Sequence, residues 1–373
     1  MKKLFKVISV PLIAILLLTA CIGGSNITTG QIPPPPPRQP VPEVSPPATP
    51  PAGGTTPGVI DTTTPDADVI TLSFSHNTNT GHPRGYMIER FAQLVEQRSG
   101  GRLVINVFPG SQLGNDAEVM AQIMQGTIDL TSLFSPNMTH IVPELALFDL
   151  PYLFFTMEQA HNALEGTLGD FLAEAMAEQG LISFGYLTSG FKDLTNNVRP
   201  IHSVQDLDGL LMRVSQSHFL VAQFQAINAG GISIPFGELP AAFEAGLADG
   251  QENPLATIVA SNIYQVQNYI TISNHGFTAY PIVMSAEVYN QLPADLRLIL
   301  HQAFAEIQPL QWQLIEETAE DHLEFLHTTD IAINYLSDTA RQNFRTTMQV
   351  IYDEFAQLPR GAELLSIVER YVD

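Results

Sequence analysis

The chain has little cysteine and little positive charge for its length. Cys21 is the only cysteine among 373 residues, so no disulfide can form within the chain. Charged residues make up 14% of the sequence, with 16 basic against 38 acidic side chains. Nucleic acid and anionic lipid are bound through clustered Lys and Arg, so this balance argues against both partners. Any anion site must therefore be a local concentration of positive charge.

Motifs of the common enzyme classes are also missing. The sequence has no G-x-S-x-G, G-x-x-x-x-G-K-[ST], H-E-x-x-H or G-x-G-x-x-G pattern. The spacing of His76 and His82 matches no recognised metal site. We therefore predict no enzyme activity, no cofactor and no metal. An anchored hydrolase or isomerase that uses Asp and Glu in a cleft stays open as an alternative.

Residues 1–20 have the features of an export signal. Lys2, Lys3 and Lys6 precede a largely apolar stretch from Val7 to Leu18, which is shorter than the ~20 residues that span a bilayer. Leu18-Thr19-Ala20-Cys21 resembles a lipoprotein box, in which the cysteine is diacylated and becomes the new N-terminus. Two acyl chains give stable membrane attachment. An ordinary signal peptide or a short membrane anchor is the alternative.

Residues 21–68 are predicted to be a lipidated tether. They include five consecutive prolines at 33–37, followed by more Pro, Gly and Thr. Proline favours extended polyproline II, which rises ~3.1 Å per residue and makes a semi-rigid spacer. A proline-rich docking ligand is the alternative.

Residues 69–373 are predicted to fold as α/β lobes. Predicted strands alternate with helices, which favours parallel sheets. The strands are 69–74, 103–108, 128–133, 184–187, 209–214 and 232–234, and the helices are 88–98, 117–125 and 217–229. A long helical pattern covers 293–326, where Pro309 should bend or split the helix. Two lobes suggest a ligand cleft between them.

Five segments in order resemble one family. They are 108–114 (FPGSQLG), 149–154 (DLPYLF), 190–201 (GFKDLTNNVRPI), 206–214 (DLDGLLMRV) and 249–254 (DGQENP). Together they resemble the substrate-binding subunits of tripartite ATP-independent periplasmic (TRAP) transporters, the DctP type or solute-binding protein family 7. The resemblance implies a two-lobed, periplasmic-binding-protein-like fold with a hinge and a long C-terminal helix across both lobes. Lobe I would comprise 69–190 and about 279–318, and lobe II 191–278 and about 319–373.

The resemblance also implies a carboxylate site centred on Arg213. A planar guanidinium offers paired N–H donors that match the two oxygens of a carboxylate. The alternative is an arginine held in a buried ion pair. Asn253 matches a family residue that donates to the same carboxylate; the alternative is an asparagine that caps a turn. Phe236 matches an aromatic residue that packs on the ligand; the alternative is an ordinary core residue.

Other site residues are predicted less directly. His76, Asn77, Asn115 and Ser135 match places where family members contact the variable end of the ligand. Lys192 stands where many members have a second arginine. Lysine keeps the positive charge but lacks the paired N–H donors of a guanidinium, and Asp193 could neutralise it. A few family members use an acid near Glu252 with a cation, so a metal ligand is the alternative there, but Glu252 is predicted to be a solvated loop carboxylate and no metal is expected.

The expected function is that of an extracytoplasmic receptor anchored to the membrane through Cys21. It would capture an organic acid or sugar acid and deliver it to two integral membrane TRAP subunits. An ABC-type or sensory solute-binding lipoprotein with the same trap mechanism is the alternative, and a purely structural lipoprotein is a further one.

Overall fold

A computed structural model describes residues 69–372. Within that range the strands are β1 (Ile70–His76), β2 (Leu103–Phe108), β3 (Leu130–Ser132), β4 (Leu181–Leu187), β5 (Phe191–Asn196), β6 (Leu211–Val214), β7 (Gly230–Ser233), β8 (Gly250–Pro254), β9 (Tyr269–Phe277), β10 (Tyr280–Ser285) and β11 (Ala332–Tyr335). The helices are α1 (Pro83–Ser99), α2 (Asp116–Met124), α3 (Met157–Leu164), α4 (Thr167–Glu178), α5 (His218–Ala226), α6 (Leu239–Glu244), α7 (Leu255–Ala260), α8 (Ala286–Gln291), α9 (Ala294–His327), α10 (Asp338–Thr347), α11 (Gln349–Phe355) and α12 (Gly361–Val372). The predicted signal, anchor and tether lie outside the described residues.

Two sheets define two lobes. Lobe I contains the five-stranded sheet β2-β1-β3-β10-β4, and lobe II contains the six-stranded sheet β11-β9-β5-β8-β6-β7. The predicted α/β class is confirmed, but both sheets are mixed and not parallel as the alternation of strands and helices had indicated. β10 is antiparallel to β3 and β4, and β5 is antiparallel to β8 and β9. The reason is that the chain passes from one sheet into the other and later returns in the opposite direction.

The two crossings form the hinge, which consists of residues 188–190 between β4 and β5 and residues 278–279 between β9 and β10. The crossings are bonded to each other. The hydroxyl of Thr188 donates to the carbonyl of Thr278 at 2.7 Å, and the amide of Thr278 donates to the carbonyl of Gly190 at 3.1 Å. Gly190 has φ +91°, a backbone conformation that favours glycine. The hinge therefore consists of two short segments that are hydrogen-bonded to each other.

Helix α9 connects the cores of the two lobes. Its 34 residues correspond to about 50 Å. Leu300 and Phe304 are buried in the core of lobe I, and Leu326 is buried in the core of lobe II. Pro309 lies inside the helix, which continues without interruption across it. The expected split at Pro309 is therefore wrong. The indole of Trp312 donates to the carbonyl of Tyr186 at 3.0 Å, so the middle of α9 is fixed beside the hinge.

The last three helices also contact both lobes. α12 packs against α3 and α4 of lobe I, and α11 packs against α5 of lobe II. Among residues 69–372, the helices are all too short or too polar to cross a bilayer.

The α9 contact with lobe I generates a stability prediction. Phe304 is 2% exposed and packs edge-to-face on Phe91. Phe304→Ala should lower the free energy of unfolding by about 3–5 kcal/mol, because it leaves a cavity in the core. Leu310→Ala, on the same helix with Leu310 46% exposed, should cost far less. Chemical unfolding of both variants tests this, and equal losses would contradict the assignment of Phe304 to the core.

Candidate functional site

Two small adjoining cavities lie between the lobes, and together we call them the cleft. Asn137 and Phe236 line both cavities. Both lobes line the cleft. The lining residues from lobe I are Asn77, Thr78, Arg84, Asn115, Asp116, Phe134, Asn137 and Tyr280. Those from lobe II are Arg213, Ser215, Gln216, Ile234, Pro235, Phe236, Asn253 and Thr257. The larger cavity has about 20 Å³ open to water, so the lobes are closed over the cleft.

Arg213 reaches the cleft from β6 in lobe II. The side chain is buried, with 2% of the residue exposed, and its Nε donates to the carbonyl of Ile234 at 2.7 Å. Within residues 69–372, no carboxylate lies within 4.0 Å of this guanidinium, and neither terminal nitrogen has a hydrogen-bond partner. Burial lowers the pKa of Arg213 to about 10, so the group is cationic at neutral pH. The buried ion pair that the sequence left open is therefore not formed.

Arg84 is a second buried cation, and the sequence analysis missed it. It lies in the first turn of α1 with 3% of the residue exposed, and it has no carboxylate within 4.0 Å among the described residues. Its guanidinium lies over the ring of Tyr280, 3.7 Å from the centroid, and donates to Oδ1 of Asn77 at 3.0 Å. A cation in the first turn opposes the helix dipole, but the predicted helix 88–98 begins after Arg84, so this unusual placement could not be recognised from the sequence.

A carboxylate and two amides organise the lobe I side of the cleft. Asn77 donates through Nδ2 to both oxygens of Asp116, at 3.0 and 3.1 Å, and Asn137 donates to the same carboxylate. Burial raises the pKa of Asp116, while the hydrogen bond from Asn137 and the charge of Arg84 oppose the shift. Asp116 partly balances the two guanidinium groups, and the charged side chains lining the cleft leave a net positive charge.

Of the four ligand contacts predicted in lobe I, two line the cleft and two do not. Asn77 and Asn115 line the cleft, but the Asn115 side chain also caps α2 by accepting from the amides of Ala117 and Glu118. His76 and Ser135 are buried and line neither cavity. Both ring nitrogens of His76 lack a hydrogen bond within 3.5 Å among the described residues, and burial, opposed by the nearby backbone of Thr78, lowers its pKa to about 3.

The predicted lobe II residues Phe236 and Asn253 both line the cleft. Phe236 begins a short 3₁₀ helix, Phe236–Glu238, and also packs against the core of lobe II. Asn253 lies within β8 rather than in a loop, and its Nδ2 donates to Oε1 of Gln251. The turn-capping alternative for Asn253 is therefore wrong, because the D-G-Q-E-N segment forms a strand.

Lys192 does not line either cavity, and it lies in a buried charge network. Its Nζ contacts Oε1 of Glu252 at 2.6 Å, and Nε2 of His275 contacts Oε2 of Glu252 at 2.8 Å. The partner of Lys192 is thus Glu252 and not Asp193. The prediction of Glu252 as a solvated loop carboxylate is wrong, since β8 is buried and brings the side chain against β5 and β9. Burial tends to raise the pKa of Glu252, but Lys192 and His275 lower it to about 2.

No group of three or more His, Cys, Asp or Glu side chains within 69–372 has the arrangement of a metal site. The polar groups lining the cleft are guanidinium, amide and hydroxyl groups and one carboxylate. Most of these groups can donate hydrogen bonds. The arrangement is suited to holding oxygen atoms of an anion.

Two lobes closed over two buried guanidinium groups define a binding protein for a small anion. Comparison with known proteins identifies the family. The sequence profile of the bacterial extracellular solute-binding proteins, family 7, matches residues 74–358, and the chain belongs to this family.

Relatives and solved structures agree with this assignment. The C4-dicarboxylate-binding protein DctB of Bacillus subtilis is 29% identical over 299 residues, covering 80% of this chain and 85% of the relative. A TRAP periplasmic solute-binding protein from Sulfurospirillum deleyianum with bound succinate is similar at a TM-score of 0.78 and 30% identity, covering 82% of this chain and 100% of that chain. The sugar acid binding protein DctPAm from Advenella mimigardefordensis, in complex with galactonate, has a TM-score of 0.78 and 28% identity, covering 82% and 99%.

Asp149, beside the charge network, generates a prediction about pH. It is buried, one of its oxygens accepts from the hydroxyl of Ser217, and the other has no partner among the described residues. Burial raises its pKa to about 7. A raised pKa means that the folded state binds the proton more tightly than the unfolded state. This contribution to stability is complete below the unfolded value of 3.8 and is lost as the pH rises through about 7.

Asp149→Asn should therefore become more stable relative to the wild type as the pH rises from about 5 to about 8, because it removes this loss. Unfolding by urea across that range measures the difference. Asp321→Asn, an exposed position on α9, is the matched control and should show no such trend. A constant difference between Asp149→Asn and the wild type would contradict the prediction.

Proposed function

We propose that the protein is an extracytoplasmic receptor that captures a small organic acid between its two lobes and delivers it to the membrane subunits of a TRAP transporter. The observation that carries this proposal is Arg213, a buried guanidinium whose two terminal nitrogens have no partner within 69–372. A buried charge without a counter-ion is costly, whereas a bidentate carboxylate would satisfy it. Family membership supplies the transport role.

The second cation indicates what the far end of the ligand carries. Arg84 reaches the cleft from lobe I, and Arg213 reaches it from lobe II, so a molecule with two anionic groups could contact both. This favours a short dicarboxylate, the class for which the Bacillus subtilis relative is named. The amides of Asn77, Asn137 and Asn253 also suit the hydroxyl groups of a sugar acid, such as the galactonate bound by one structural neighbour. Lys192, which lies behind the cleft, stays a predicted ligand contact.

Capture requires the lobes to separate. Hydrogen bonds between the lobes hold the cleft closed. The backbone amide of Gln216 donates to Oδ1 of Asn137 at 3.0 Å. Nδ2 of Asn79 donates to the backbone carbonyl of Ala260 at 2.8 Å. The open space is too narrow to admit a four-carbon acid without movement. The ligand would favour the closed form through the contacts it makes only there, with movement about the hinge. We propose 69–190 with about 279–318 as lobe I, and 191–278 with about 319–373 as lobe II.

The role is binding without chemical conversion of the ligand. Family membership supports this role. The hydroxyl of Thr257 in the cleft lies 3.3 Å from Nε2 of His82, and burial lowers the pKa of that imidazole, which makes it a poor general base. Delivery to an ABC transporter or to a sensor would use the same trap, and family membership favours the TRAP partner.

Substitution of the two arginines tests the proposal. Arg213→Met should weaken binding of both succinate and galactonate at least 100-fold, because it removes the bidentate partner of their shared carboxylate. Arg84→Met should weaken binding of succinate at least tenfold more than binding of galactonate. Isothermal titration calorimetry on the purified protein measures both effects.

Stability distinguishes the ligand role from a structural one. Because Arg213 has no counter-ion within the described residues, Arg213→Met should melt at or above the wild-type temperature without ligand. Arg98→Met, at a surface ion pair with Glu306, is the matched control and should bind normally. Unchanged affinity in Arg213→Met would refute the ligand role, and a large loss of melting temperature would indicate a structural role.

We also propose that Cys21 carries a lipid anchor that holds the protein on an extracytoplasmic membrane surface, either in a periplasm or on the outer face of the cytoplasmic membrane. The lipoprotein-like segment 18–21 and the absence of any other cysteine support this. Cys21→Ala should move the expressed protein from the membrane fraction to the soluble fraction or leave its precursor unprocessed. Fractionation with a blot measures this, and Ser25→Ala is the control. Continued membrane association of a processed Cys21→Ala protein would refute the anchor.

A further inference from the structure

A further cavity of about 320 Å³ lies at the hinge, and it shares no lining residue with the cleft. We call it the hinge cavity. It is bounded by the crossing between β4 and β5, by α7, by the start of α3 and by the middle of α9. Its lining residues are Met157, Ser189, Gly190, Phe191, Asp193, Leu255, Ala256, Asn274, Ile315, Glu316, Ala319 and His322.

Asp193 is the buried charged group of the hinge cavity. It is 1% exposed, and its Oδ1 accepts from the amides of Ser273 at 2.8 Å and Asn274 at 3.1 Å. Its Oδ2 has no hydrogen-bond partner within residues 69–372, and no Lys, Arg or His nitrogen lies within 4.0 Å of the carboxylate there. Successive residues of a strand face opposite sides, which separates Asp193 from Lys192. One oxygen thus fixes the strand, and the other has no hydrogen bond, although the charge of Arg341 acts on the carboxylate from beyond 4.0 Å.

The remaining lining residues define what could pair with that oxygen. No Lys or Arg lines the hinge cavity, and Glu316 adds a second carboxylate on the exposed face of α9. The hydroxyl of Ser189 is buried and has no hydrogen bond within 3.5 Å among the described residues, although it lies near enough to the phenol of Tyr280 to lower the pKa of that group. Met157, Leu255 and Ile315 supply apolar walls. The lining therefore combines a buried anion, a hydroxyl, the imidazole of His322, whose Nδ1 has no hydrogen bond among the described residues, and an apolar surface.

We propose that the hinge cavity binds a small organic cation, a protonated primary amine carrying a short alkyl chain. The ammonium group would contact Oδ2 of Asp193 and the hydroxyl of Ser189, and the alkyl chain would contact the apolar walls. A charge-assisted hydrogen bond to a buried carboxylate is stronger than a bond between neutral groups. The chemistry is opposite to that of the cleft, so the two sites take different classes of ligand.

Thermal shift titration with n-butylammonium chloride tests the proposal at pH 8, where Asp193, whose pKa burial raises to about 7, is ionised. n-Butylammonium should raise the melting temperature of the wild type above the value in sodium chloride of equal ionic strength. 1-Butanol should not raise it. Asp193→Asn should increase the apparent Kd at least tenfold, because it removes the negative charge. The amide oxygen of Asn can still accept from Ser273 and Asn274, so the fold should be retained.

Glu317→Gln is the matched control, since Glu317 is the exposed neighbour of Glu316 and does not line the cavity. It should bind n-butylammonium like the wild type. A second variant, Ala319→Trp, should block the cavity from the side of α9 and also abolish the shift. Equal stabilisation by sodium chloride, or an undiminished shift in Asp193→Asn, would overturn the proposal.

Discussion

The burial of guanidinium groups without a carboxylate partner is the constraint on which the site depends. Arg213 and Arg84 lie within a closed cleft, in a protein whose overall net charge is −22. Desolvation penalises each cation, and Asp116 compensates them only in part. Such an arrangement is stable only because the surrounding fold holds it, which is common at functional sites. The positive charge is thus concentrated where an anion can approach, within an otherwise acidic molecule.

Local sequence patterns predicted the elements that are determined by local interactions. β2 was predicted at its observed bounds, and Gly100 ends α1 in the left-handed conformation that glycine favours. The long apolar pattern predicted α9 within one residue at each end. These elements follow from hydrophobic period and capping, which can be detected within a short window of sequence.

Elements that depend on distant partners were not predictable in the same way. β5, β8 and β9 contain polar residues that pair across the second sheet, so alternation of polar and apolar residues does not mark them. Glu252 was assigned to solvent for this reason, since only the fold shows that Lys192 and His275 surround it. Arg84 was missed because its neighbours Asn77 and Tyr280 come together only through the lobe I fold, Tyr280 from much further along the chain. Family motifs directed attention to Arg213, Asn253 and Phe236, which all line the cleft, but gave no indication of Arg84.

The discontinuity of the lobes has a consequence for biosynthesis. The lobe I sheet needs β10 at 280–285, and the lobe II sheet needs β11 at 332–335. A growing chain therefore contains neither complete sheet until about three quarters of its length has been made, and α9 joins both cores only afterwards. Because domains usually fold as units during synthesis, the emerging polypeptide lacks a unit that could fold early. For a member of an extracytoplasmic family, this order means that both sheets are completed only when most of the polypeptide has been synthesised.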